Sequence, residues 1–483
     1  MLASWGYNYF HQVGEELPRY VLEPLTISLL EPRKCKAGGT FSVLVTDDGL
    51  VYQWGTLHNY IYRSITKIEI PVKILNVSAG NNHIACVTAD GQVFTWGCGS
   101  LGRLGHGNAF DQKQPCRVEY FSVTTRANQV ACGGAHTLFM CEDGKVYACG
   151  FNRYFQCGQV EPSASSILTP RGVPMIDGGD IASICCGKHH SMILMRDGAV
   201  YAWGNATRGR LGHYSFKQNP RKISLPKRIE VFAATNQDNS VYKLEAGVAH
   251  NVALTYSGRV LTWGDGLSGQ LGHGNLICQS IPKIVEGLRG SVVSDVAAGD
   301  LTTFAFNDKD LWAWGIGNGG GGSSPSVAFD EEDLLKIPTK IQVPQTPIVS
   351  VCSGGAHSLC VLGSSVTPIL EKESTVFSLC RHGHEEQLKS ALDEVPDNLL
   401  LRDENGNTLL IVACQNNMFS IAKLLVCCGC DPNMQNNRGQ TALHYSFTYN
   451  FLKIFNFLIQ SGADDTILNA EGLTCYEGLS YLK

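Results

Sequence analysis

A seven-bladed β-propeller closed by its own N-terminal strand, followed by an α-helical repeat stack, is the fold class predicted for this chain of 483 residues. Three observations predict it. A glycine turn recurs seven times, at Gly38, Gly80, Gly133, Gly187, Gly247, Gly299 and Gly354. A hairpin dipeptide and then a Trp-Gly step follow at rigid spacing, while the gaps between units vary from 42 to 60 residues. The seventh unit lacks its Trp-Gly step, and the chain begins with an orphan one, Trp5-Gly6.

The unit is clearest in Asn76–Gly107. His83–Thr88 alternates as a half-buried strand does. Asp90-Gly91 is a tight-turn dipeptide, because glycine accepts positive φ. Gln92–Trp96 runs back and ends in Trp96-Gly97, after which Gly102, Gly105 and Gly107 mark an irregular loop. The same hairpin stands at Asp48-Gly49, Asp143-Gly144, Asp197-Gly198 and Ser257-Gly258, with Asn307-Asp308-Lys309 in the sixth unit. Trp54-Gly55, Cys149-Gly150, Trp203-Gly204, Trp263-Gly264 and Trp314-Gly315 end the matching strands. The hairpins are thus constant and the connections variable. Seven units are complete only if the N-terminal strand joins Ser358–Leu362 in the last one. Such closure removes the exposed sheet edges that otherwise invite aggregation.

These units resemble the repeat of the regulator of chromosome condensation family over about residues 1–364. That repeat has a Gly-x-x-His opening, an Asp-Gly hairpin, a Trp-Gly step and a Gly-x-Leu-Gly ending. The opening histidine is present as His83, His136, His190, His250 and His357, with Phe41 and Thr302 in units one and six. The ending is present at Leu101–Gly107, Arg210–His213 and Gln270–Gly274. The histidines are expected to bond the backbone of their own blade. Six of the seven tryptophans lie in the Trp-Gly step and are expected in the core. Two loops stand apart: Gly317–Asp333, rich in glycine and serine and then acidic, and the basic Tyr214–Lys243.

After a linker at 365–372 the periodicity turns helical, with Val376, Leu379, Leu388, Ala391 and Leu392 at helical spacing. A 33-residue period then links Gly406-Asn407-Thr408 to Gly439-Gln440-Thr441 and Gly472-Leu473-Thr474. Residues 373–483 resemble ankyrin repeats, about three and a half of them. Thr441-Ala442-Leu443-His444 matches the Thr-Pro-Leu-His core of that repeat, and Tyr476–Lys483 is read as a minimal cap.

Composition excludes several function classes. Charged residues make up 17% and apolar ones 44%, with 52 glycines, as many short strands require. Net charge is −5; from Val366 onward there are 8 basic and 14 acidic residues, leaving 30 and 29 before it. Neither part has the basic excess of a nucleic-acid binder. There is no long apolar run and no secretory pattern at the N-terminus, so no membrane span is expected. The 19 cysteines are therefore read as reduced thiols of a cytoplasmic protein, with nuclear or cilium-associated placement as alternatives. Cys427, Cys428 and Cys430 lack a second pair at zinc-site spacing. Gly315–Gly320 has dinucleotide-like glycine spacing but no helix pattern after it. No catalytic, metal or cofactor residue is expected.

The reading that remains is a non-catalytic, monomeric interaction scaffold that binds one or more proteins. On the propeller the polar departures between opening glycine and histidine are Asn81-Asn82, Lys188-His189 and Asp300. On the helical stack the turns Arg402–Asn407 and Gln435–Gln440, with Ala470–Gly472, supply Arg402, Asp403, Asn405, Asn436, Arg438, Gln440 and Glu471. The family resemblance implies an alternative, guanine-nucleotide exchange on a small GTPase. Exchange needs only a surface that binds the nucleotide-free partner best. In that family the face carries acidic and histidine side chains, whereas here Gly134-Ala135, Val248-Ala249 and Gly355-Ala356 are bland.

Overall fold

The structure is a computed structural model. It describes residues 1–14, 17, 20–28, 32–122, 125–160, 165–174, 180–213, 221–232, 240–316, 334–344, 347–355, 357–363, 376–377, 379–381, 385–394, 396–403, 405–449 and 451–477. Contacts divide the chain into Met1–Ser365 and Val366–Lys483.

The first unit holds seven four-stranded antiparallel sheets. Blade 2 shows the plan, from channel to rim: Ile74–Ala79, His83–Thr88, Val93–Gly97 and Gln112–Arg117. Its middle strands pair Ile84 with Trp96 and His83 with Gly97. A Cβ on Gly97, at φ 103°, would meet the Asn82 carbonyl oxygen at 2.5 Å, so the Trp-Gly step demands glycine. Blade 7 reproduces this plan with both ends of the propeller segment. Ile348–Ser353 and His357–Leu362 are completed by Leu2–Tyr7 and Tyr20–Ser28. Trp5 pairs with Ser358 and Gly6 with His357, the register of Trp96-Gly97 in blade 2. The N-terminal strand therefore closes the ring.

Trp5, Trp54, Trp96, Trp203, Trp263 and Trp314 are completely buried between blades. Removing any one indole costs about 3–5 kcal/mol. In six blades the innermost strand slips register before its fourth-last or nearby residue, as between Ile74 and Asn76 or Val241 and Lys243. A bulge re-aims the side chains that follow it.

The opening histidines correct one expectation: their ring Nε2 bonds the next blade, not the backbone of their own. His83 meets Thr137 at 2.9 Å, His136 meets Ser191 at 3.0 Å, His190 meets Asn251 at 2.7 Å, His250 meets Thr303 at 2.9 Å and His357 meets Ser42 at 2.7 Å. Each partner in turn donates to a loop carbonyl of the histidine's own blade, as Thr137 does to Arg103 at 2.7 Å and Ser42 to Gln12 at 2.9 Å. The partner's proton is thereby committed, so the imidazole must donate from Nε2. Burial drives the pKa of His136, His190 and His357 down to about 3 and that of His250 to about 4, which keeps the rings neutral. Two boundaries lack this latch. Phe41 of blade 1 packs in one apolar cluster with Ile84 of blade 2. In blade 6, Thr302 turns to the Ile316 carbonyl, and Ser358 of blade 7 bonds Ser353.

The basic stretch Tyr214–Lys243 is also corrected in part. Lys222–Arg228 is the outer strand of blade 4, and Val241–Ala246 opens blade 5. Pro226 is buried on that outer strand while Lys222 and Lys227 are exposed, so its basic residues decorate a sheet edge. Lys222 lies over the Phe155 ring at 4.1 Å. Residues 214–220 and 233–239 of that stretch, Gly317–Asp333, the linker at 365–372 and most of the proposed C-terminal cap lie outside the described residues.

The second unit contains the helices Glu385–Glu394, Leu409–Gln415, Phe419–Cys427, Ala442–Thr448 and Leu452–Gln460. Their apolar faces share one core that includes Cys380, Leu388, Leu409, Ile421, Leu443, Ile454 and Leu458. Thr408 caps its helix by accepting from the Ile411 amide. His444 Nδ1 accepts from the Thr441 amide at 3.2 Å, and its Nε2 reaches the Leu473 carbonyl of the next repeat at 3.2 Å.

Candidate functional site

The opening loops meet around a central channel of about 380 Å³ lined by the innermost strands of all seven blades. Alternation in those strands sends every second residue toward the channel. Blade 1 contributes Lys34 and Lys36 and blade 5 Lys243 and Glu245, with Asp295 of blade 6 paired to Lys243; the inner strands of blades 2, 3, 4 and 7 contribute neutral residues such as Asn76, Gln129, Ser183 and Ser350. Lys36 approaches Glu245 to 3.7 Å and Lys243 approaches Asp295 to 2.5 Å. Glu245 raises the Lys36 pKa against the effect of burial. Burial opposes ionisation of Glu245, but Lys36, Lys243 and Lys34 outweigh it and hold its carboxyl below the usual range. Lys34 is lowered to about 8, by burial first and by Lys36 next. These channel residues were not singled out from the sequence, although their alternate spacing in each inner strand was a usable signal.

At one mouth of the channel the opening loops are stitched into a near-continuous backbone ring. Lys188 N–H donates to Val248, Val248 N–H to Asp300 and Asp300 N–H to Gly354, at 3.1–3.2 Å; Gly355 N–H donates to Gly38 at 3.0 Å and Gly39 N–H to Asn81 at 3.3 Å. The blades approach so closely that a Cβ on Gly187 would lie 2.6 Å from the Gly247 carbonyl oxygen. Asn81, Lys188 and Asp300 all line this mouth. Burial raises the Asp300 pKa and Lys188 opposes the rise. Asn82 lies one residue further out, its carbonyl accepting from the Cys98 amide at 2.8 Å. His189 instead packs against Tyr154 and Phe151, with ring centroids at 5.3 and 6.1 Å. Burial, then Lys188 and Arg210, lowers its pKa to about 4. The structure thus brings Asn81, Lys188 and Asp300 to one opening and sets His189 beside it.

In the helical unit the turns stack into a continuous edge. Asn437 N–H donates to Asn405 at 3.1 Å and Ala470 N–H to Arg438 at 3.0 Å. Arg402 donates to the Gln435 carbonyl at 2.6 Å, spanning adjacent turns. Asp403 accepts from the Asn405 and Asn407 amides, both at 2.9 Å, and Asn436 accepts from those of Arg438 and Gln440, both at 3.0 Å. The polar atoms of Asp403 and Asn436 are therefore spent on shaping the turns, and Gln440 is buried with Asn436. Arg402, Asn405, Arg438 and Glu471 are exposed along the edge.

Comparison with known proteins follows this division. Residues 59–360 match the family described as RCC1-like domain, and residues 376–469 match ankyrin repeats in 3 copies. The Homo sapiens E3 ubiquitin-protein ligase HERC2 is 31% identical over 303 residues, 59% of this chain and 6% of HERC2. The Arabidopsis thaliana ultraviolet-B receptor UVR8 is 30% identical over 301 residues, 59% of this chain and 65% of the receptor. Each match spans less than two thirds of the relative's own length. The crystal structure of Prp20p from Saccharomyces cerevisiae has a TM-score of 0.65 at 21% identity, covering 82% of this chain and 94% of that one. Human WBSCR16 has a TM-score of 0.64 at 21% identity, with coverage of 75% and 100%. At such identity the likeness establishes the fold. No described helix is long and apolar enough to cross a membrane.

Proposed function

Because the chain belongs to the RCC1-like domain family and continues into ankyrin repeats, we propose that it is a non-catalytic scaffold that binds other proteins through the channel mouth and the stacked turns. One observation carries this reading: Asn81, Lys188 and Asp300, which vary from copy to copy of the repeat, share one mouth held by a backbone ring. Rigid frames with variable loops are binding surfaces, since little ordering entropy is lost on association. The exposed Arg402, Asn405, Arg438 and Glu471 supply a second surface, of the kind repeat stacks use. Affinity capture from cells followed by mass spectrometry tests the proposal. Partners held by the wild-type chain are expected to be lost at least tenfold from a Lys188→Glu, Asp300→Lys double variant. A capture list unchanged by that variant and by Arg438→Glu would refute it.

A second reading, exchange or regulation of a small GTPase, is favoured by Prp20p, whose structure is described together with its binding to Gsp1p. Here it assigns the channel mouth to the GTPase. Accelerated release of fluorescent nucleotide from a GTPase panel, abolished by Asp300→Ala, would establish it over the scaffold-only reading. For location the proposal is the cytoplasm, with nuclear or cilium-associated placement as alternatives, because the 19 cysteines, many of them in apolar strands, read as reduced thiols.

A further inference from the structure

The boundary between blades 1 and 2 lacks the histidine latch, and beside it, on the opening-loop side, three different metal-ligating side chains converge. His58 sits in the turn joining Val51–Leu57 to Tyr60–Ile68 in blade 1. Its φ is 54°, a conformation uncommon for a residue with a side chain. Cys98 follows Trp96-Gly97 in blade 2, and Asp111 directly precedes the outer strand Gln112–Arg117 of the same blade. Gln112 pairs with Gly97, so sheet register brings Cys98 and Asp111 together across 13 residues of chain. The His58 nitrogen, the Cys98 sulfur and an Asp111 oxygen lie within 4.8 Å of one another, the one such trio of His, Cys, Asp or Glu among the described residues.

We propose that His58, Cys98 and Asp111 bind a zinc ion that staples blade 1 to blade 2. The donor set suits that ion: thiolate and imidazole disfavour magnesium and calcium, and one sulfur, one nitrogen and one oxygen with an open fourth position fit tetrahedral zinc. The spacing suits it too. Metal–ligand bonds of about 2.0–2.3 Å at tetrahedral angles put ligands about 3.3–3.8 Å apart. His58 Nε2 is 3.1 Å from Asp111 Oδ2, and the sulfur needs to close by about 1.3 Å at most.

Two further features support it. His58 Nε2 faces the Asp111 carboxylate at 3.1 Å and the Asn59 amide nitrogen at 3.0 Å. A cation between imidazole and carboxylate uses the lone pairs of both. The outer support is also present: Asp111 Oδ1 accepts from the Gly99 amide at 2.8 Å and Ser100 Oγ lies 3.1 Å from Cys98 Sγ, contacts that orient ligands. The cysteine is buried, while the His58 and Asp111 side chains keep 28% and 34% of their exposure, so the ion has an entry path. On binding, the thiol S–H bond breaks, its proton leaves to solvent, and the sulfur electron pair forms the S–Zn bond. Binding is therefore weaker at low pH.

The experiment uses the full chain, stripped with chelator and titrated with cobalt(II), whose bond to a thiolate gives a strong near-ultraviolet charge-transfer band. One equivalent of cobalt is expected to develop that band, and zinc to displace it. Cys98→Ser should abolish the band, His58→Asn, which tolerates the same backbone conformation, should weaken cobalt binding at least tenfold, and Asp111→Asn, which keeps an acceptor for Gly99, should do likewise. A Cys427→Ser, Cys428→Ser variant, which removes the exposed Cys427 and the half-buried Cys428 at a helix end of the second unit, should keep it. Zinc should raise Tm of the wild type and leave that of Cys98→Ser unchanged. No band in the wild type, or a band that survives Cys98→Ser or vanishes with Cys427→Ser, Cys428→Ser, overturns the proposal.

Discussion

In the propeller, His83 reaches Thr137 of the next blade at 2.9 Å; in the helical stack, His444 reaches the Leu473 carbonyl of the next repeat at 3.2 Å. Both repeats place an imidazole at a fixed position and use it to join neighbours. The settings differ. Propeller histidines are sealed between sheets and bond side chains, so each latch needs a matching residue one blade on. His444 is buried too, but it bonds a backbone carbonyl, which any residue supplies. A ring therefore couples its sequence positions in pairs across repeats, whereas a stack leaves each repeat free to vary. In the ring every blade also has two neighbours, and the last bond is made by the first strand.

Breaking the ring at that strand has the largest expected effect. Deleting residues 1–7 removes Trp5 and the third strand of blade 7, exposing the edge of His357–Leu362. Loss of soluble folded propeller is expected, measured by size exclusion and near-ultraviolet circular dichroism, while the stack of 33-residue repeats should keep its far-ultraviolet helical signal. Acid comes next. The latch histidines have folded pKa values below the unfolded value of about 6.5, so the unfolded state binds more protons as pH falls. Their stabilisation is complete above that value and is lost on acidification toward pH 3–4. On the order of 1–2 kcal/mol for each latch should disappear between pH 7 and pH 5, a large share of a typical stability. Thermal melts across that range should show the propeller transition falling much further than the stack transition.

The unlatched boundary offers a sharper test. Phe41→His should cost about 3 kcal/mol, because it places an imidazole against the apolar Ile84. Adding Ile84→Thr supplies the partner found at Thr137 and should return about 1–2 kcal/mol, a coupling that denaturant melts of the double-mutant cycle measure. The smallest change is expected in the stack. Asp403→Ala removes the acceptor of two turn amides and should cost about 1 kcal/mol, with faster hydrogen exchange confined to residues 405–407 and their neighbours.

Legibility followed the distance over which each interaction acts. Trp96-Gly97 and Asp90-Gly91 are local geometry, so fixed spacing revealed the blades and their closure. The latch was half visible: each of His136-Thr137, His190-Ser191 and His250-Asn251 carries a ring for the next blade beside the partner for the previous one. Unit one breaks the pattern with an offset of one, since Phe41 lacks the ring and Ile84, in the following unit, lacks the partner. That offset was present in the residues but has meaning only once neighbouring blades are known to touch. The channel mouth was legible as variation within a constant frame at Asn81, Lys188 and Asp300. What Asp403 and Asn436 do was not, because an amide or carboxylate in a turn has the same letters whether it faces solvent or its own backbone. His58, Cys98 and Asp111 follow no motif spacing at all; only the pairing of Gln112 with Gly97 and the turn of the neighbouring blade bring them together.

Closure by the first strand also sets a timetable. Leu2–Tyr7 leaves the ribosome well before its partner His357–Leu362, which is made about 350 residues later. At about 5–20 residues per second, the first strand waits roughly 20–70 s with its hydrogen-bonding edge and Trp5 unclaimed. The segment that completes the molecule is thus the one most in need of shelter while the rest is being made.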